Sequence, residues 1–282
     1  MSAALQPLSL AEAIERLAAD PSLIPVAGGT DLMVRGPVAL AELGGVIDLL
    51  RIPELVGISD TAAGLEIGAA VTFSQIRRSP AVVAAFPALA AAAAEVGGWQ
   101  IQNRATLGGN MANASPAGDS LPVLLALEAT VVVAGPAGER EIPYTAFHTG
   151  YRKTALGPGE IVARVRLPHL PAGTVQAFRK VGTREAQAIS KVVVAMVARV
   201  DGGRIAELRL AAGSVAATPI RLAAAEAAAR GAVAAPEAAE RAGRAAAGEV
   251  SPIADVRSTA EYRAHVLERV VRRLVLELVP AS

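Results

Sequence analysis

The chain has 282 residues with 27 basic and 26 acidic side chains, no cysteine and a hydrophobic fraction of 52%. A chain of this length can bury a large apolar core in one large or two ordinary domains, which argues against disorder. The formal net charge of +1 lacks the basic excess that is typical of nucleic-acid-binding proteins. The absence of cysteine excludes, on this chain, disulfides, thiolate zinc sites and the thiolate ligands of iron–sulfur clusters.

The N-terminal segment and the longest apolar run both favour a protein without a membrane span. Residues 1–17 lack a positively charged region and place Leu10, Ile14 and Leu17 at helical spacing, which predicts an amphipathic helix rather than a secretory signal. The apolar run 80–94 contains Pro87 and is shorter than the about 20 residues that span a bilayer. We therefore expect a cytoplasmic protein.

Short apolar segments alternate with turns and helical patterns up to residue 167, so the fold class is α/β or α+β. Thr72 and Gln75 have the spacing of a capping box, which predicts a helix after Thr72. The alanine-rich segment Pro80–Val96 predicts another helix, closed by Gly97 and Gly98. The predicted strands are Leu23–Ala27, Gly45–Leu49, Leu65–Gly68, Thr130–Ala134 and Ile161–Leu167.

The proline- and glycine-rich segment Pro168–Gly173 indicates a domain boundary. Beyond it the pattern predicts a β-meander with a hairpin at Asp201-Gly202-Gly203, and its strands are Gln176–Val181, Ser190–Val200 and Ile205–Ala212. Three helices follow at Leu222–Ala229, Pro236–Gly248 and Glu261–Leu278. We therefore predict one domain at residues 1–170 and a second, α/β domain at residues 174–282.

The first candidate site is the sequence Val26-Ala27-Gly28-Gly29-Thr30-Asp31-Leu32, called here the first glycine loop. Glycines without Cβ allow main-chain N–H groups to approach a phosphate closely, and Thr30 adds a hydroxyl donor. A glycine turn between two strands explains the same residues. The spacing differs from G-x-G-x-x-G and Pro37 soon follows, so we reject a Rossmann motif.

The second candidate site lies in the polar stretch Gln100–Asp119, which contains the second glycine loop, Thr106-Leu107-Gly108-Gly109-Asn110. Its neutral side chains can donate to a phosphate or a flavin edge, and Asp119 can accept from sugar hydroxyls. An equally good interpretation is a buried polar loop in which Asp119 is the N-cap of the next helix.

Together the two loops resemble those of the FAD-binding subunits of the molybdenum hydroxylases, the xanthine dehydrogenase and carbon monoxide dehydrogenase family. In that family, two glycine-rich loops of this kind embrace the FAD diphosphate. The resemblance continues along nearly the whole chain, at Ile52–Leu55, Val71–Phe73, Gly150–Thr154, Phe178–Val181, Ala188–Val192 and Asp255–Arg263.

The resemblance implies a cresol-methylhydroxylase or vanillyl-alcohol-oxidase type FAD-binding domain with subdomains at about 1–58 and 59–170. A C-terminal domain like that of the carbon monoxide dehydrogenase flavoprotein would follow. Both glycine loops would hold the FAD diphosphate, and Asp119 the sugar or ribityl hydroxyls. Lys180 would be a cation near the flavin, which electrostatics favours for an anionic reduced flavin. Val96 and Val162 would make apolar contacts to the cofactor.

The resemblance also implies an electron-transfer role inside a larger complex. A large subunit would carry the molybdenum cofactor, and a small subunit would carry two iron–sulfur clusters of the two-iron, two-sulfur type. FAD on this chain would pass electrons to NAD or another acceptor, in a heterotrimer or a dimer of heterotrimers. A free-standing FAD-dependent oxidoreductase and a non-redox scaffold that has lost FAD are the alternatives.

Neither catalytic nor metal-binding residues are predicted on this chain. His148, His169 and His265 are scattered, without the spacing of a metal site. The chain departs from the family pattern in two places, with Ala105 where glycine is frequent and Gln102 where arginine is frequent. Alanine at a position of positive φ would cost about 1 kcal/mol, which is too little to abolish cofactor binding.

Overall fold

A computed structural model describes residues 3–280. Residues 1–2 of the first predicted domain and residues 281–282 of the second lie outside the described residues. The first sheet is parallel and has the strand order β1-β3-β2, with β1 at Ala3–Leu5, β2 at Ile24–Val26 and β3 at Gly45–Asp48. Three helices connect these strands, α1 (Leu10–Ala19), α2 (Thr30–Met33) and α3 (Gly36–Ala41). The amphipathic helix predicted within residues 1–17 is confirmed for α1 but wrong for Ala3–Leu5, which pair with β3 as strand β1. The N-cap of α1 is Ser9, which accepts from the N–H of Glu12.

The second sheet is antiparallel and its strand order is β4-β5-β10-β6-β7. A separate hairpin, β8–β9, follows β7. The bounds are β4 (Ile58–Thr61), β5 (Gly64–Gly68), β6 (Thr130–Gly135), β7 (Gly138–Pro143), β8 (His148–Gly150), β9 (Lys153–Thr154) and β10 (Ile161–Leu167). One short 3₁₀ turn, Pro53–Leu55, precedes β4, and another, Tyr144–Ala146, precedes β8.

Helices between β5 and β6 cover the second sheet and supply much of its core. They are α4 (Phe73–Arg78), α5 (Pro80–Ala85), α6 (Pro87–Glu95), α7 (Trp99–Gln102), α8 (Leu107–Asn113) and α9 (Leu121–Ala126). The capping box of Thr72 and Gln75 at the start of α4 is confirmed. The single helix predicted at Pro80–Val96 is wrong, because the chain breaks at Phe86 (φ −134°, ψ 59°). The residue before a proline disfavours helical geometry, and Pro87 begins a new helix.

The third sheet contains the three strands of the predicted meander and a fourth strand that was not predicted, in the order β11-β12-β13-β14. Its strands are β11 (Val175–Val181), β12 (Val192–Asp201), β13 (Arg204–Gly213) and β14 (Ile220–Arg221). The hairpin turn is confirmed, with φ values of 53° at Gly202 and 75° at Gly203. The helices α10 (Ala223–Ala229), α11 (Pro236–Gly248) and α12 (Ala260–Leu276) follow, and all three bury residues in one core with β12 and β13.

No strand pairing joins the third sheet to the other two within residues 3–280. Helix α9 nevertheless packs on β12 and β13, so the two halves of the chain share an apolar contact. The predicted division into domains stays our interpretation of this arrangement. None of the helices in residues 3–280 combines the length and the apolarity needed to cross a membrane.

The segment Asp255–Arg263 holds the third sheet and its helices together. Arg263 is 3% exposed and donates from Nη1 to the carbonyl oxygens of Lys191 (2.7 Å) and Ser214 (3.0 Å). Its Nη2 donates to Asp255 Oδ1 at 2.8 Å. A buried guanidinium whose partners come from separate elements fixes how those elements pack.

Candidate functional site

One cavity of about 720 Å³ brings both glycine loops together, between the first sheet and the second. A volume of this size is ordinary for a small-molecule or cofactor site. The predicted site residues that line it are Val26, Ala27, Gly28, Gly29, Thr30, Asp31, Leu32, Val96, Thr106, Gly108, Gly109, Asn110 and Val162. Residues separated by up to 136 positions therefore line one cavity, and their contact with FAD stays a prediction.

The first glycine loop joins β2 to helix α2, so the alternative of a turn between two strands is wrong. Gly29 is the N-cap of α2 and has φ 71°, a left-handed conformation that favours glycine. Gly28 has a different constraint, since a Cβ there would lie 2.0 Å from the carbonyl oxygen of Arg104. The first loop therefore rests directly on the backbone that leads into the second loop.

The second glycine loop begins helix α8, whose N-cap Thr106 accepts a 3.1 Å hydrogen bond from the N–H of Gly109. Gly108 packs on the end of β5, because a Cβ at this residue would lie 2.6 Å from the Cβ of Ala69. Leu107 belongs to the predicted set but does not line the cavity. Its side chain is fully buried in the core of the second sheet, since the first turn of α8 points it away.

Both departures from the family pattern have a structural explanation. Ala105 is not among the residues with positive φ, so the expected cost of alanine does not arise. Its carbonyl accepts from the N–H of Phe73 at 3.1 Å. Gln102 is 2% exposed, accepts from Arg77 Nη1 at 2.7 Å and donates to the carbonyl of Ala94 at 2.8 Å. Gln102 therefore fastens α7 to α4 and α6.

Asp119 and Lys180 form a buried ion pair that joins the two halves of the chain. Lys180 Nζ lies 2.7 Å from Asp119 Oδ2, and the exposed fractions of their side chains are 4% and 8%. Lys180 also donates to the carbonyl of Glu95 at 2.8 Å, and Ser190 Oγ donates to Asp119 Oδ1. Burial raises the pKa of Asp119, while the charge of Lys180 and the hydrogen bonds from Lys180 and Ser190 lower it.

These two residues do not line the cavity. The pair nevertheless lies next to it, because Glu95 directly precedes the lining residue Val96. The alternative of Asp119 as a helix N-cap is wrong, since the N-cap of α9 is Ser120 and makes no side-chain cap bond. Direct contact of Asp119 and Lys180 with a cofactor stays a prediction.

Several residues that line the cavity were not predicted from the sequence, among them Arg35, Ile101, Asn113 and Arg152. Arg35 is exposed and has no ion-pair partner among residues 3–280. Arg152 belongs to the Gly150–Thr154 motif, which supported the resemblance but received no role. The described residues contain no cluster of three or more His, Asp or Glu side chains suited to a metal ion.

Family comparison agrees with the geometry of the two loops. Residues 1–170 match the family model of the FAD binding domain in molybdopterin dehydrogenase. The chain belongs to this family. Residues 176–278 match the carbon monoxide dehydrogenase flavoprotein C-terminal domain, so the predicted family and fold class are confirmed.

Relatives of this family member cover nearly its whole length. The putative xanthine dehydrogenase FAD-binding subunit of Escherichia coli K12 is 35% identical and covers 97% of this chain and 94% of its own. The carbon monoxide dehydrogenase medium chain of Hydrogenophaga pseudoflava is 32% identical and covers 95% of this chain and 93% of its own. A structure of that species' carbon monoxide dehydrogenase, lacking the Mo-pyranopterin moiety, superposes with a TM-score of 0.93 at 33% identity, covering 96% and 95% of the two chains.

The cavity of this flavoprotein subunit fits FAD, the cofactor of its family. Its two glycine loops line the cavity, and the first turn of α2 has N–H groups without intrahelical acceptors, which suit a diphosphate. Arg35 adds a cation beside the first loop. Val96, Ile101 and Val162 provide an apolar lining, which suits a planar ring system.

Proposed function

We propose that this chain is the electron-transfer subunit of a molybdenum-dependent hydroxylase, and that it holds FAD in the cavity between its first two sheets. The observation that carries the proposal is the meeting of both glycine loops at one cavity with an apolar lining. The family match and the xanthine and carbon monoxide dehydrogenase relatives support the reaction class.

In this proposal the two glycine loops hold the diphosphate through main-chain N–H groups and the hydroxyl of Thr30. Val96 and Val162 lie on the apolar lining, where they would contact the ring system. Asp119 and Lys180 lie next to the cavity and not on its lining, and in this proposal they would reach the sugar hydroxyls and the flavin from there. A cation near the ring favours the anionic reduced form of the cofactor.

Bound FAD supplies a carrier that accepts and releases electrons singly or in pairs. The chain itself positions this carrier and excludes water from its apolar side. Because the chain has no cysteine, the iron–sulfur clusters that feed it would be held by a small partner subunit, and the molybdenum cofactor by a large one. NAD or another acceptor would take the electrons, in a heterotrimer or a dimer of heterotrimers. A cytoplasmic location stays a prediction.

The proposal is tested in the assembled complex with a cavity variant, Gly28→Ala, beside the unchanged complex. Substrates are drawn from those named for the relatives, including xanthine, carbon monoxide and nicotine. We expect substrate to reduce the partner clusters in both complexes, and only the FAD-containing complex to reduce NAD or a dye. Equal acceptor reduction by a FAD-free complex would contradict the proposal. Turnover by the isolated chain with FAD would instead support a free-standing oxidoreductase.

A further inference from the structure

The hairpin β8–β9 presents Arg152 to the cavity in a strained conformation. Gly150 pairs with Lys153, so Tyr151 and Arg152 form a two-residue turn. Arg152 has φ 51°, in the left-handed region that side chains other than glycine, asparagine and aspartate seldom adopt. Strain of this kind persists where the surrounding structure holds it, and it is frequent beside functional sites.

Arg152 joins the two sides of the cavity through two polar side chains. Its Nη1 donates to Asn113 Oδ1 at 2.9 Å and lies 3.9 Å from Asp31 Oδ2. Asn113 Nδ2 in turn donates to Asp31 Oδ1 at 3.1 Å. These three residues, called here the clip, all line the cavity and form a closed triangle of contacts.

The clip links three separate elements. Asp31 belongs to the first glycine loop, Asn113 ends the helix that the second glycine loop begins, and Arg152 lies in the hairpin turn. The hairpin is itself attached to α8, because His148 Nε2 lies 3.2 Å from the carbonyl oxygen of Met111. Among the described residues, the Asn113–Asp31 hydrogen bond and the Arg152–Asp31 ion pair are the polar side-chain links from the first glycine loop to α8 and the hairpin β8–β9.

We propose that Arg152 is a positioning residue that holds the two glycine loops at a fixed separation and thereby slows the release of the cofactor. This inference rests on the proposed placement of FAD between those loops. Arg152 acts through Asp31 and Asn113 rather than on the cofactor itself. The guanidinium suits this role, since its planar set of donors can serve two acceptors at once.

Removal of Asp31 distinguishes this role from direct binding of the diphosphate by Arg152. If Arg152 bound the diphosphate, Asp31→Ala would free its charge and remove a nearby carboxylate, so FAD would bind more tightly. If Arg152 acts through the clip, Asp31→Ala removes the Arg152–Asp31 contact that Arg152→Ala removes, together with the Asn113–Asp31 bond, so FAD would bind more weakly. The two models therefore predict opposite signs for one variant.

The experiment measures FAD dissociation from the full chain, by the rise in flavin fluorescence after dilution into excess apoprotein of an unrelated flavoprotein. We expect Arg152→Ala, Asp31→Ala and Asn113→Ala each to accelerate release about five- to tenfold, the range of a charge-assisted hydrogen bond at a partly exposed site. The double variant Asp31→Ala/Arg152→Ala should release FAD no faster than the faster single variant, because Asp31→Ala already removes the contact that Arg152→Ala removes. Arg152→Lys should give an intermediate rate.

The neighbouring Lys153→Ala is the matched control, since it removes one positive charge from the same hairpin and does not line the cavity. It should release FAD at the unchanged rate. The proposed role of Arg152 would be contradicted by tighter FAD binding in Asp31→Ala or by additive increases of the release rate in the double variant. It would also be contradicted if Lys153→Ala released FAD as fast as Arg152→Ala. Failure of the unchanged chain to bind FAD would instead refute the proposed function and leave the clip without a cofactor to retain.

Discussion

Gly28 is the position at which one methyl group should separate the two glycine loops. In Gly28→Ala the new Cβ would lie 2.0 Å from the carbonyl oxygen of Arg104, 2.6 Å from its carbon and 2.9 Å from the Cα of Ala105. Real Cβ atoms essentially never approach closer than 3.0 Å, so the loops must move apart by at least 1.0 Å. All three atoms are backbone atoms, so rotation of a side chain cannot relieve the contact.

Overpacking of this kind costs about 1 to 3 kcal/mol, and the rigid backbone partner favours the upper end. At about 2 to 4 °C per kcal/mol for a chain of this size, the midpoint of thermal unfolding of the FAD-free protein should fall by about 6 to 12 °C. FAD should be lost as well, because both loops lie on the displaced boundary. The assay is the ratio of flavin to protein absorbance after purification, together with thermal unfolding.

Gly44→Ala is the matched control for this variant. Gly44 directly precedes strand β3, lacks positive φ and would bring its Cβ no closer than 3.6 Å to Ser22. We expect its flavin content and unfolding midpoint to match those of the unchanged chain. A Gly28→Ala protein with full flavin content and an unchanged midpoint would refute the inference that the loops rest on each other here.

The remaining predictions concern the buried charges. Lys180→Met should lower the free energy of unfolding by about 3 kcal/mol at neutral pH, because it leaves the buried carboxylate of Asp119 without its cation. Since burial raises the pKa of that carboxyl, the loss of stability in Lys180→Met should shrink as the pH is lowered towards 3.8. Adding Asp119→Asn to the same chain should restore part of the stability. Urea unfolding at several pH values measures both effects, and a loss of stability that does not change with pH would contradict this reasoning. Burial raises the pKa of Asp255, but hydrogen bonds from the Arg257 N–H and the Arg263 and Arg257 side chains outweigh it and bring the pKa to about 2. Asp255→Asn should therefore destabilise the protein above pH 3.8, with a difference that disappears as the pH falls to about 2; a constant gap in the unfolding midpoint over that range would show that charge is not its cause.

Local signals allowed the sequence to predict the glycine loops, the capping box and the C-terminal meander. Each depends on residues close together in the chain, such as Gly202 and Gly203 in their hairpin turn. The break at Phe86 was missed because the alanine-rich pattern outweighed Pro87, although the effect of a proline on the residue before it is local too.

The residues that sequence analysis missed at the site depend on long-range topology. Arg152 follows Asp31 by 121 positions and meets it only because the hairpin β8–β9 folds against α8. The pairing of Lys180 with Asp119 similarly requires β11 to lie beside the loop before α9. The requirement for glycine at position 28 could not be predicted from the neighbouring sequence either, since the atoms that exclude a side chain there belong to Arg104 and Ala105.

The central claim is that this chain carries FAD within a molybdenum hydroxylase complex. The most direct measurement is made on tagged protein purified gently from its native cells, by identifying the released flavin and assaying the same sample for molybdenum and iron. We expect one FAD for each copy of the chain, together with both metals. A complex that contains molybdenum and iron but no flavin would contradict it.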